Sequence, residues 1–212
     1  MNLKNNFWYF SNVLSPEFCD KLISHSKEKK LITAKTGTEA YLLNKKKKLS
    51  KKDIKNLKKT RDSNIVFLDD SWIYDEICPF IQTANVNAGW NFQIDWFESC
   101  QFTKYKLNQH YDWHADGHTE PYNSKDPNFN KKIRKISAVC SLSDSKNFEG
   151  GQLQFLLKQN LKDEKDTIIT CNEILPRGSI VVFPSFVIHR VTPVTKGTRY
   201  SLVMWSLGYP FK

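Results

Sequence analysis

From about residue 90 onward the chain is a succession of short β-rich runs broken by Gly, Pro, Asn and Asp, and this pattern restricts the fold more than any other feature. The runs are NFQIDWF, SCQFTKY, HYDWHAD, KISAVCSLS, GGQLQFLL, TIITCNEI, GSIVVFP, VIHRVTPV and TRYSLVMWSLG. Many short strands at regular spacing predict a sandwich, jelly roll or barrel. The first part reads differently. Ser15-Pro16-Glu17 offers an N-cap hydroxyl, a proline at the first helical position and an acid in the first turn. Phe18, Leu22 and Ile23 then share a face, so a helix is predicted to about Lys29. Asn64–Leu68 reads as a strand. Asp70 or Ser71 caps a second helix with Trp72, Ile73, Ile77, Phe80 and Ile81 at helical spacing, a helix whose regularity Pro79 is expected to limit. Helices first and strands after predict an α+β protein. We expect one domain over 1–212: a mixed helical support region at 1–90, and a β core at 91–212.

The N-terminus, MNLKNNFWYF, has no apolar stretch of signal-peptide type, and no segment is long and apolar enough to span a bilayer. The five cysteines are scattered without a C-x-x-C pair, which fits reduced thiols. A cytoplasmic protein without membrane contact is expected. The net charge of +10 is concentrated: residues 45–61 hold nine Lys, one Arg and one Asp, a net +9. Such a run is either a solvated segment or a contact for nucleic acid or an acidic partner. No aromatic residue interleaves with the lysines, which counts against a stacking platform for single strands.

Chemistry enters with His114-Ala115-Asp116, answered by His189 and, further on, by Arg199. Two imidazoles and a carboxylate are the donor set that leaves one face of Fe(II) open in non-haem oxygenases. If 110–116 is a strand, His114 and Asp116 lie two apart and face one side. In the last run, alternation puts Arg199, Ser201, Val203 and Trp205 on one face and Tyr200, Leu202 and Met204 on the other. No acid lies in that run, so a guanidinium buried there needs an anion from elsewhere, and a bound carboxylate is one answer. His118 is a local alternative to His189. His110 and His114 are four apart but lack the Glu of a zinc-protease H-E-x-x-H. The polar stretch 117–132, with Pro121 and Pro127, is expected to be a lid or substrate loop.

The ordered set His114-x-Asp116, Glu149-Gly150-Gly151-x-Leu153, His189-x-Val191-x-Pro193-Val194 and Thr198-Arg199-Tyr200-Ser201, with Trp205 beyond, resembles the Fe(II)/2-oxoglutarate-dependent dioxygenases, in particular the prolyl 4-hydroxylase-like branch. The resemblance covers roughly 95–210. It implies a double-stranded β-helix, or jelly roll, in which His114, Asp116 and His189 hold Fe(II). Arg199 would anchor 2-oxoglutarate, Ser201 or Tyr105 would add a hydroxyl, and Trp205 would pack beside the metal. It implies O₂ as co-substrate, succinate and CO₂ as products, ascorbate as an accessory reductant, and a peptide or protein substrate hydroxylated at a residue such as proline. Gly150-Gly151 is expected to be a tight turn. The alternatives are an AlkB-like nucleic-acid oxygenase using segment 45–61, or a non-enzymatic basic nucleic-acid-binding module. The AlkB pattern places a second Arg where this chain has Trp205.

Overall fold

The computed structural model describes residues 3–34, 58–117, 120–158 and 166–211. The lysine-rich residues 45–57 and His118 lie outside them. The elements in order are β1 (Trp8–Phe10), α1 (Pro16–Glu28), β2 (Ile32–Thr33), β3 (Arg61–Asp62), β4 (Asn64–Leu68), α2 (Ser71–Asn87), β5 (Trp96–Phe97), β6 (Cys100–Tyr105), β7 (His110–His114), β8 (Ile133–Ser141), β9 (Phe148–Gly150), β10 (Leu153–Lys158), β11 (Asp166–Thr170), β12 (Ile180–Pro184), β13 (Ile188–Val191), β14 (Val194–Gly197) and β15 (Arg199–Gly208).

The helix starts follow their chemistry. Ser15 Oγ accepts from Phe18 N, and Pro16 begins α1. Asp70 precedes α2 but does not cap it. Its carboxylate accepts from His25 Nε2 at 2.9 Å and meets Lys29 Nζ at 3.5 Å, which ties the two helices together. The α2 helix runs on through Pro79. Pro79 and Asp75, the residue whose carbonyl loses its amide partner, both lie on the exposed face, where water can satisfy that carbonyl.

The strands form an antiparallel jelly roll. One eight-stranded sheet runs β1-β12-β8-β15-β6-β4-β2, with β5 paired to β15. A five-stranded sheet runs β11-β10-β13-β7-β3, and β14 pairs with β9. Described residues among the first 90 join the sheets, since β1, β2 and β4 extend the larger one and β3 edges the smaller. The predicted strand at 91–97 shrinks to Trp96–Phe97, and the run 167–174 ends its strand at Thr170 and passes into a 3-10 turn.

Two apolar layers result. The outer face of the larger sheet packs on the helices through Leu22, Ile73, Ile77, Ile81, Phe102, Ile136, Ile180, Leu202 and Met204. Its inner face meets the smaller sheet through Tyr105, Val139, Val181, Phe183, Leu153, Phe155 and Val191. The interior strand β12 is buried on both faces, which is why IVVFP reads as an unbroken apolar run rather than an alternation. Fully buried Phe155 stacks on Phe7 at 4.9 Å and meets Phe183 edge-on at 5.0 Å. Truncating such a side chain to Ala costs about 3–5 kcal/mol.

Candidate active site

His114, Asp116 and His189 come together between the two sheets, with one ligand atom of each within 4.8 Å of the others. His114 ends β7 and pairs directly across from His189 in β13, so both imidazoles project from one face. Asp116 reaches them by a different route from the alternation expected. It lies beyond the strand, in a bend that Gly117 N anchors to Ser185 O at 2.7 Å, and the turn of the chain aims its carboxylate back. His114 Nε2 lies 3.7 Å from Asp116 Oδ1, and His189 Nε2 lies 3.6 Å from Oδ2.

The outward nitrogens are fixed. His114 Nδ1 bonds the Asp112 carbonyl at 2.7 Å, and His189 Nδ1 bonds the Val187 carbonyl at 3.0 Å. A carbonyl can only accept, so each Nδ1 carries the proton and each Nε2 presents its lone pair to the cluster. Burial, reinforced by the neighbouring His189, pushes His114 down to about 3, which favours the neutral ligand form. Burial works against the Asp116 carboxylate, but the adjoining His189 and His114 rings and the Arg134 cation outweigh it and hold the group below its ordinary value. Asp116 Oδ2 is buried and lacks a hydrogen-bond partner among the described residues. Two neutral imidazoles and one carboxylate with an unsatisfied buried oxygen fit a divalent transition metal such as Fe(II).

A β-bulge completes the wall beside His114. Between the paired positions, β13 advances from His189 to Val191 while β7 runs from His114 back to Tyr111, so one extra residue lies on β7. The bulge brings the Tyr111 ring flat against His114, with centroids 3.4 Å apart. Arg61, buried in β3, covers the other side of Tyr111 at 4.4 Å. The last residue of the basic run thus belongs to the core of the smaller sheet.

Arg199 is 3 % exposed and sits opposite Tyr105 on the inner face of the larger sheet. Its Nη1 donates to Ser201 Oγ at 3.2 Å, and its guanidinium carbon lies 5.5 Å from the Tyr105 ring centre. No carboxylate pairs with it among the described residues, and burial lowers its affinity for the proton. Gly151, at φ +59, makes room for its stem: a Cβ there would stand 2.9 Å from Arg199 Cδ. The expected Gly150-Gly151 turn is thus present, with both residues at positive φ.

Trp205 is buried on the same face, and its indole N–H, like Asp116 Oδ2, has no hydrogen-bond partner among the described residues. Behind it is a group that no motif announces. Arg134 lies 3.9 Å over the Trp205 ring, donates to both oxygens of Glu98 at 2.7 Å, and reaches the Asp116 carbonyl at 3.4 Å. Tyr122 from the 117–132 loop donates to Glu98 at 3.2 Å, and Tyr122 N and Lys131 N close that loop with backbone bonds to Lys132 and Tyr122. His110 stays apart, bonded to the Lys59 carbonyl.

The fold is a jelly roll with a two-histidine, one-carboxylate cluster between its sheets. Residues 100–207, half of the chain, match the 2OG-Fe(II) oxygenase superfamily, and the chain belongs to it. A PKHD-type hydroxylase YbiX of Escherichia coli is 33% identical over 104 residues, covering 49% of this chain and 40% of the relative. A PKHD-type hydroxylase of Pseudoalteromonas atlantica is 31% identical over 106 residues, covering 50% and 41%. The chain thus spans about two fifths of the length of these curated relatives. Among solved structures, the viral collagen prolyl hydroxylase of Paramecium Bursaria Chlorella virus-1 superposes with a TM-score of 0.59 at 20% identity, covering 97% of both chains. A Pseudomonas putida prolyl-4-hydroxylase gives 0.58 at 19%, covering 96% and 92%. A Trichoplax adhaerens prolyl hydroxylase, solved with a hypoxia inducible factor peptide, gives 0.66 at 17%, covering 96% and 84%. The shared fold is that of prolyl hydroxylases. No helix among the described residues is long and apolar enough to cross a membrane.

Proposed function

We propose that this chain is a hydroxylase of polypeptides that uses Fe(II), 2-oxoglutarate and O₂, with His114, Asp116 and His189 holding the iron and Arg199 holding the distal carboxylate of 2-oxoglutarate. The observation that carries this reading is a buried cation, Arg199, facing the same space between the sheets as a metal-ready triad and without a carboxylate of its own among the described residues. The charges suit one another. One carboxylate, one guanidinium, a divalent cation and a doubly charged 2-oxo acid cancel, so a closed site would bury no net charge.

When bound, iron and 2-oxoglutarate supply oxidative decarboxylation to succinate and CO₂ and the insertion of oxygen into a C–H bond. The protein binds, orients and excludes water. His114 and His189 keep their Nε2 lone pairs directed at one point through backbone acceptors. Arg199, held by Ser201 and walled by Tyr105, offers a planar fork to a carboxylate. Trp205 closes the side toward Asp116 and is held in place by Arg134.

The names of the relatives, hydroxylases of PKHD type, and a neighbour bound to a peptide support a peptide or protein substrate such as a prolyl residue. Ascorbate as accessory reductant and a cytoplasmic setting belong to the same reading. The nucleic-acid alternative rests on the lysine run, whose residues 45–57 lie outside the described structure, and Trp205 stands where that reading needs an arginine.

The test needs no substrate. Fe(II) and 2-oxoglutarate added without oxygen are expected to give a visible charge-transfer absorption that His189→Ala loses. Folded wild-type protein without such a band would overturn the assignment.

A further inference from the structure

A cavity of about 550 Å³ opens on the other side of the wall that carries Glu98, between α2, β5 and the 117–132 loop. Its floor is aromatic, with Tyr74, Trp96, Phe97 and Phe129. Trp96 is 43% exposed, a large ring left open at the mouth. Around this apolar interior stand four carboxylates, Asp69, Asp75, Asp95 and Asp126. Asp95 is paired with Lys132. No Lys, Arg or His forms an ion pair with the other three among the described residues. In a chain of net charge +10, a concave surface with four acids and no lining cation stands out.

An apolar interior with an anionic rim fits one kind of ligand group, a long aliphatic stem ending in a cation. The stem lies along aromatic faces, the cation is attracted to the ring of a Trp or Tyr, and the carboxylates complete its charge. A lysine or arginine side chain has this build.

The cavity also shares its wall with the candidate active site. Tyr74 on its floor donates to the Glu98 carbonyl at 3.0 Å, while the Glu98 carboxylate grips Arg134, which lies on Trp205. Phe129 of the same lining packs edge-on against Tyr122, whose hydroxyl reaches Glu98. A chain lying across the site could therefore place a neighbouring side chain here.

We propose that this cavity receives a lysine or arginine side chain of the polypeptide substrate, so that the enzyme selects sequences carrying a basic residue close to the hydroxylated one. The proposal rests on the polypeptide-hydroxylase reading above and narrows it.

The test compares two blocked synthetic peptides of proline and glycine that differ at one central position, lysine in one and norleucine in the other. Their binding is measured by calorimetry to the protein loaded with Fe(II) and 2-oxoglutarate without oxygen. The lysine peptide is expected to bind about tenfold tighter, a factor set by one partly desolvated cation on an aromatic floor. That advantage is expected to vanish in the Asp69→Asn/Asp75→Asn protein and, separately, in Trp96→Ala. Equal binding of the two peptides, no binding of the lysine peptide, or an advantage that survives both variants would overturn the proposal. The visible band recorded on the same samples separates the two readings: a band without lysine selectivity removes only the cavity's assignment, whereas no band removes the iron site itself.

Discussion

Tyr111 lies flat against His114, ring on ring at 3.4 Å, because one extra residue in β7 turns both side chains to the same face. Tyr111→Ala is expected to leave His114 free to rotate and to weaken Fe(II) retention about 10- to 100-fold, the usual size for losing a group that orients a metal ligand. Tyr111→Phe should keep the stack and restore retention. Titration with Fe(II), followed by the visible band in the presence of 2-oxoglutarate, measures both. Unchanged retention in the Ala variant would show that the backbone bond to Asp112 suffices.

Gly151→Ala tests the space around Arg199. The new Cβ would press on Arg199 Cδ, and the positive φ is itself unfavourable for a side chain. The expected result is a large rise in the 2-oxoglutarate concentration needed for the band, with Fe(II) binding little changed. Arg199→Ala should raise that requirement further. If 2-oxoglutarate titrates normally in Arg199→Ala, the anchor lies elsewhere.

Glu98→Ala would leave the half-buried Arg134 without its partner. Breaking a fully buried ion pair by removing one side costs about 3–5 kcal/mol, and partial exposure brings this pair below that. The loss should appear as a lower denaturation midpoint. Glu98→Gln, which keeps an acceptor for Tyr122 and the packing, should lose less. A stability loss below about 1 kcal/mol in the Ala variant would mean that water reaches Arg134 and solvates it.

The contact between the helices gives a pH dependence. The hydrogen bond from His25, then the charges of His25 and Lys29, hold the Asp70 carboxyl below its ordinary value. A carboxyl with a depressed folded-state pKa stabilises the fold at pH values above its unfolded value, about 3.9, and loses that contribution as pH falls through the folded value. Asp70→Asn is therefore expected to be less stable than the native chain near pH 6, by less than about 1 kcal/mol for so exposed a pair. The two should converge in acid. A difference that persists below pH 2 would trace to packing rather than charge.

Neutralising the lysines between Lys45 and Lys59 is expected to leave the Fe(II)/2-oxoglutarate band unchanged. Arg61, at the end of that run, is a different matter: it covers Tyr111 in the smaller sheet. Loss of the band in a protein whose Arg61 is intact would place the lysines in the catalytic unit.

The triad and Arg199 were legible because each sits in a local pattern, His-x-Asp after one strand and a lone Arg in an acid-free run. The alternation of β15 was equally readable, since its two faces meet two different apolar layers. The Asp116 route was not, because a turn rather than the strand pleat delivers its carboxylate. Glu98 and Arg134 escaped for a related reason. They are 36 residues apart, and neither carries meaning until β5 and β8 are brought to either side of β15.

Each triad histidine is fastened to the carbonyl two residues before it in its own segment, Asp112 for His114 and Val187 for His189. The instruction that aims each imidazole is thus written in the main chain, which every amino acid shares. Side chains that do not touch the two rings can therefore change, and with them the choice of substrate, without altering the direction in which the imidazoles point.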